Sequence, residues 1–116
     1  GLRASFAYAW AGLRFAWKSQ HNFRLEVYIG GLALALAWWL GVSPIPVLQL
    51  IALVLGLELI NTALEALVDL VSPNYHPLAK AAKDIAAAGV LVVSGIAALI
   101  GILLFLPPLV SRLGLW

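Results

Sequence analysis

Between Val27 and Leu57, and again between Ile85 and Val110, the chain carries no charged side chain. Runs of that length leave few folds open. The hydrocarbon core of a bilayer is about 30 Å thick and takes roughly 20 apolar helical residues to cross. The first run is too long for one crossing, and Gly41, Val42, Ser43, Pro44, Ile45 and Pro46 interrupt it as a turn-forming cluster. It predicts a first span over about 27–42 and a second over about 46–68. The other run predicts a third span over about 84–106, ending at Pro107 and Pro108, because proline in a helix interior removes a backbone hydrogen bond. Composition points the same way. Of 116 residues, 64% are hydrophobic and only 10% charged, whereas a soluble domain is about 25% charged. A single domain this short cannot bury so much apolar surface within itself, so lipid is the solvent for the remainder. Disorder is excluded by the same numbers. The chain has no cysteine, hence neither disulfides nor thiolate chemistry, and a net charge of +2 is too small to suggest a nucleic-acid partner.

Residues 2–19, ahead of the first span, are amphipathic. At about 100° per residue, Leu2, Phe6, Trp10, Leu13 and Trp17 fall within an arc of about 80°, with Arg3, Arg14 and Lys18 on its flank. That is the pattern of a helix lying at a membrane surface. Tyr8 and Phe15 fall outside the stripe and are expected to face the rest of the protein. Trp38 and Trp39, at the far end of span one, suit the membrane interface. Arg3, Arg14, Lys18 and Arg24 precede span one, and Lys80 and Lys83 lie between spans two and three. Only Arg112 falls on the opposite side. This asymmetry predicts that the N-terminus and the second loop are cytoplasmic. A signal peptide is not expected, since the first apolar span begins late and no cleavage site follows it.

The second span is not purely apolar. Glu58, Asn61, Glu65 and Asp69 recur at spacings of three, four and four and so share one helix face. A charged residue at mid-span costs at least about 2.5–3.5 kcal/mol on insertion scales, so the stripe should face protein or water. Glu65 and Asp69 sit near the cytoplasmic end, and Glu58 lies about 10 Å deeper than Glu65 at 1.5 Å per residue. Carboxylates entering the membrane from the cytoplasm suit a hard cation such as Mg²⁺. A deeper carboxylate in low dielectric suits proton transfer. Ser72, Asn74, Tyr75 and His76 form a polar loop on the same side, followed by Lys80, and Lys83 with Asp84 is expected to open the third helix. Carboxylates for a metal together with cationic groups are what phosphoryl transfer needs, although neither GxxxxGK[ST] nor GxGxxG occurs. Other readings stay open at this point. Asn61 alone serves well as interhelical glue, Lys83 and Asp84 as helix anchors, and a deep glutamate also suits a small proton- or cation-coupled transporter.

Glu58-Leu-Ile-Asn61-Thr-Ala-Leu-Glu65-Ala-Leu-Val-Asp69, then Tyr75-His76-Pro-Leu-Ala and Ala-Lys83-Asp84-Ile-Ala-Ala, resembles the prokaryotic diacylglycerol kinase family, which includes undecaprenol kinases. Ala11-Gly12-Leu13-Arg14-Phe15-Ala16-Trp17 and Asn22-Phe23-Arg24 resemble it too, so the likeness covers nearly the whole chain. The resemblance implies an all-α protein of the bacterial inner membrane, with three transmembrane helices and a surface helix. It implies a homotrimer with active sites shared between subunits. The implied reaction moves the γ-phosphoryl group of MgATP to diacylglycerol or undecaprenol. By that resemblance Glu58 is the general base and Asn61 positions the reacting groups. Glu65 binds Mg²⁺, and Tyr8, Asn74, Tyr75, His76, Lys83 and Asp84 contact ATP. Gln20 stands where the family commonly has a glutamate as second metal ligand. Its amide oxygen would ligate without charge, with Glu26 or Asp69 available to compensate.

Overall fold

The computed structural model describes residues 1–115, which form four helices: α1 (Leu2–Ser19), α2 (His21–Leu40), α3 (Pro44–Val71) and α4 (Pro77–Arg112). The described residues contain no strand. The molecule is an all-α membrane protein. Helices α2, α3 and α4 are each long and apolar enough to cross a bilayer, and α1 is the amphipathic helix before them. Helix ends follow local chemistry. Gly41, at φ 71°, closes α2 in the left-handed conformation that only glycine adopts without penalty. Ser43 then caps α3, its hydroxyl accepting from the Ile45 N–H at 3.3 Å, with Pro44 at the first helical position. His76 does the same for α4: its Nδ1 accepts from the Leu78 N–H at 3.1 Å, ahead of Pro77. This cap starts α4 early, so Lys83 and Asp84 lie inside the helix, not at its opening.

Helix α4 also runs past Pro107 and Pro108 to Arg112. Proline fixes φ near the helical value, so the turn survives. What is lost is the N–H that would serve the carbonyls of Leu103 and Leu104. Arg112 then reaches back over the Trp39 ring at 5.0 Å, joining the far ends of α4 and α2 by a cation–π contact. At the other end, the Arg24 guanidinium donates to the carbonyls of Trp17 at 2.6 Å and Lys18 at 3.3 Å. It thus satisfies the free C-terminal carbonyls of α1. Trp17 packs edge-on against Tyr28 with ring centroids 5.7 Å apart, which fixes the elbow between α1 and α2.

The interior is small and unusually polar. The buried apolar residues are Ala16, Phe23, Ala37 and Val47, and beside them Glu58, Asn61 and Thr62 are buried too. No residue of α4 is fully buried. Large apolar side chains line the outside of every helix, among them Leu32, Trp38, Leu70, Leu91 and Leu103. Tyr8 and Phe15 do not turn inward as expected: they are 77% and 59% exposed, and Ala16 is the residue through which α1 is buried. A small side chain there lets the helix backbones approach. Gly30 does the same between α2 and α3, where an added Cβ would lie 3.1 Å from Ile51.

Candidate active site

Two contacts fix the register of the three spans. Lys83 of α4 pairs with Asp69 of α3 across the loop. Moving an equal number of residues away from that pair along each helix sets Asn61 level with Leu91 and Glu58 level with Ser94. Gly30 of α2 lies against Ile51 of α3, which by the same counting brings Glu26 level with Leu55 and Gln20 level with Asn61, to within about a turn.

The α3 stripe forms the centre of the site. Glu58 is 3% exposed and Asn61 8%. The Asn61 amide donates from Nδ2 to Oε1 of Glu65 at 3.2 Å, tying two adjacent turns of the stripe together. Thr62 donates its hydroxyl to the Glu58 backbone carbonyl at 2.9 Å, which removes a competing donor from the site and ties it to the helix. On this stripe two buried oxygens have no partner among the described residues, Oε2 of Glu58 and Oδ1 of Asn61. Buried polar atoms are nearly always paired, so these two are open to a donor or a cation. Glu65 is half-buried, a turn nearer the loop.

The remaining residues are brought in unevenly. Lys83 is held by Asp69, and Lys80 bonds Asp84 at 2.6 Å one turn along α4. Both cations are therefore on the loop side of Glu65. Asn74, Tyr75 and His76 are exposed on the loop, with Tyr75 79% accessible and His76 serving as the α4 cap. Gln20 is the half-buried, extended joint between α1 and α2, at φ −117° and ψ 105°. Among the described residues no hydrogen bond joins Tyr8, Tyr75 or the Gln20 side chain to the stripe. Asp69 is engaged by Lys83, and Glu26 lies about 15 Å deeper than Glu65 by register.

No group of three or more His, Cys, Asp or Glu side chains converges as a metal site among the described residues. The donors the stripe offers here, the Glu65 carboxylate and the unpartnered Asn61 oxygen, are hard oxygens. That partial set fits Mg²⁺, which typically takes one or two protein carboxylates and completes its shell with water and phosphate oxygens.

Sequence reasoning missed Ser94, whose buried Oγ has no partner among the described residues, and it named Glu26 only as a residue that could compensate for Gln20, although its Oε2 is equally unpartnered. The available signal for Ser94 was that it is the one hydroxyl in the charge-free run of the third span. Its level with Glu58 emerges only once α3 and α4 are paired.

Three long apolar helices, one of them carrying a carboxylate–amide–carboxylate stripe that is buried at Glu58 and Asn61 and half-buried at Glu65, define a small multi-pass membrane protein with a polar site within its spans. The sequence profile of the prokaryotic diacylglycerol kinase family matches residues 7–105. The chain belongs to that family, a family of lipid kinases. It is 46% identical over 114 residues to a diacylglycerol kinase of Synechocystis, covering 95% of this chain and 65% of that protein. It is 42% identical over 88 residues to the diacylglycerol kinase of Escherichia coli, covering 73% and 72%. It is 39% identical over 108 residues to the undecaprenol kinase of Bacillus subtilis, covering 90% and 88%.

Proposed function

We propose that the chain phosphorylates the hydroxyl of a membrane lipid, diacylglycerol or undecaprenol, with ATP, at the cytoplasmic leaflet of the bacterial inner membrane. The observation that carries this reading is Glu58: a carboxylate 3% exposed, within a membrane-spanning helix, with one oxygen left unpartnered. A charge at such depth is costly, and a base at the level of a lipid hydroxyl gives it a use. The family and its relatives, kinases of both lipids, support the same chemistry.

In this reading Glu58 accepts the proton of the lipid hydroxyl. The lipid oxygen bonds to the γ-phosphorus of ATP as the bridging oxygen leaves with ADP. Asn61 holds Glu65 and offers its own carbonyl oxygen at the reacting end. Glu65, with Gln20 near the same level, would hold Mg²⁺, which when bound neutralises charge on the phosphates. Lys83 adds positive charge on the loop side, where the nucleotide enters. The basic residues on α1 (Arg3, Arg14, Lys18) and in the first turns of α2 (Arg24) and α4 (Lys80, Lys83) support a cytoplasmic N-terminus. The family resemblance supports a homotrimer in the bilayer with active sites shared between subunits, in which Tyr8 and the 74–76 loop contact ATP.

ATP consumption by the purified protein in mixed micelles tests the proposal, with Mg²⁺ present and each lipid offered separately. Lipid-dependent ADP release with a phosphorylated lipid product is expected. Lipid-independent hydrolysis, or none in folded protein, would overturn it.

A further inference from the structure

Three buried oxygens without partners among the described residues come from three different helices at one depth: Oε2 of Glu26 on α2, Oε2 of Glu58 on α3 and Oγ of Ser94 on α4. The register set by Asp69–Lys83 makes Glu58 and Ser94 level, and that set by Gly30–Ile51 brings Glu26 within a turn of them. Glu26 and Ser94 also line the same feature, an open groove of about 580 Å³ between α2 and α4 with α3 as its floor. Its other walls are apolar, including Ile29, Leu36, Leu50 and Leu104. The volume is that of a small-molecule site. A groove within the spans that is apolar along its length and polar at one level matches a lipid chain with a polar head.

The three oxygens are not equivalent. Ionised carboxylates only accept, whereas a serine hydroxyl also donates. Glu58 and Glu26 therefore suit the lipid's own hydroxyl, and Ser94 is the one donor among the three. An acceptor belonging to the lipid would satisfy it. In a diacylglycerol an ester group sits on the carbon next to the one bearing the hydroxyl. A polyprenol offers only hydrocarbon there, and would leave the Ser94 hydroxyl unsatisfied in an apolar groove, which is unfavourable.

We infer that Ser94 is a specificity-determining residue: its hydroxyl donates to an ester carbonyl of the lipid and so favours diacylglycerol over a polyprenol. The inference rests on the kinase reading and narrows its substrate.

The test compares kcat/KM on diacylglycerol, on an ether-linked dialkylglycerol that lacks the carbonyls, and on undecaprenol. It uses the unaltered protein, Ser94→Ala and Ser94→Thr. The unaltered protein should prefer the ester lipid. Ser94→Ala should shrink the diacylglycerol-to-dialkylglycerol ratio about five- to ten-fold, the value of one neutral hydrogen bond, and Ser94→Thr should restore it. An unchanged ratio, including an equal loss on all three lipids, would overturn the inference, the equal loss showing that Ser94 serves Glu58 instead. Binding of labelled diacylglycerol and dialkylglycerol to the purified protein without ATP supplies the second readout. Ester preference in binding that Ser94→Ala removes, without phosphate transfer, would overturn the kinase reading and keep the role of Ser94. Transfer without ester preference would overturn the role of Ser94 alone. Absence of lipid binding would overturn both.

Discussion

Glu58 and Glu65 lie two turns apart on one face of α3, yet their surroundings assign them different work. Glu58 is sealed from water with one oxygen idle, while Glu65 is half-buried and already accepts from Asn61. Replacing Glu58 by glutamine keeps the shape and removes the base. Turnover should fall by about 10²–10⁴-fold, the usual contribution of a positioned proton acceptor, while nucleotide binding, measured by equilibrium dialysis, stays within two- to three-fold. Near-normal turnover would show that some other group takes the proton. Glu65→Gln should act on the metal instead. With a neutral amide at both Gln20 and position 65, half-maximal rate should require at least about ten-fold more Mg²⁺. Mg²⁺ titrations that superimpose on those of the unaltered protein would remove Glu65 from the ligand set. The stripe was legible in the sequence because charge inside an apolar run is expensive and therefore conspicuous. Ser94 was not, because a lone serine in a membrane helix costs little and carries no pattern of its own.

At the scale of the helix, α2 and α3 depend on close backbone approach. The Gly30 Cα faces the Ile51 side chain with no room for a branched neighbour. Gly30→Val should lower stability by about 1–3 kcal/mol, the range for overpacking a filled contact, and a denaturant titration followed by tryptophan fluorescence would read it. Pairing Gly30→Val with Ile51→Ala should recover part of the loss, and additive effects would mean the two do not meet. Helix identity was plain from the apolar runs, but helix ends were not. A run of hydropathy marks where lipid is, whereas α2 begins at His21, ahead of its apolar run, and α4 runs from Pro77 to Arg112, beyond its expected span at both ends. Those ends are set by Gln20, by the His76 cap and by two prolines whose φ the helix accepts, all of which act locally and leave the hydropathy pattern unchanged.

The whole molecule inverts the usual distribution of polarity. Its interior holds Glu58, Asn61 and Thr62, and its exterior holds most of the leucine, isoleucine and tryptophan. Little apolar area is hidden when the chain folds on itself, so little of its stability comes from inside. The surrounding amphiphile acts as a structural component in its own right, as much a part of the fold as any helix. Unfolding temperature should therefore rise as the alkyl tail of a maltoside is lengthened at constant headgroup, by more than it falls for conservative changes on the outer face of α4. A midpoint indifferent to tail length would mean that the chain, alone or with its own copies, covers these surfaces without help. Stability in this protein is thus a property of the solution as well as of the sequence, and two preparations differing only in detergent are two different thermodynamic systems.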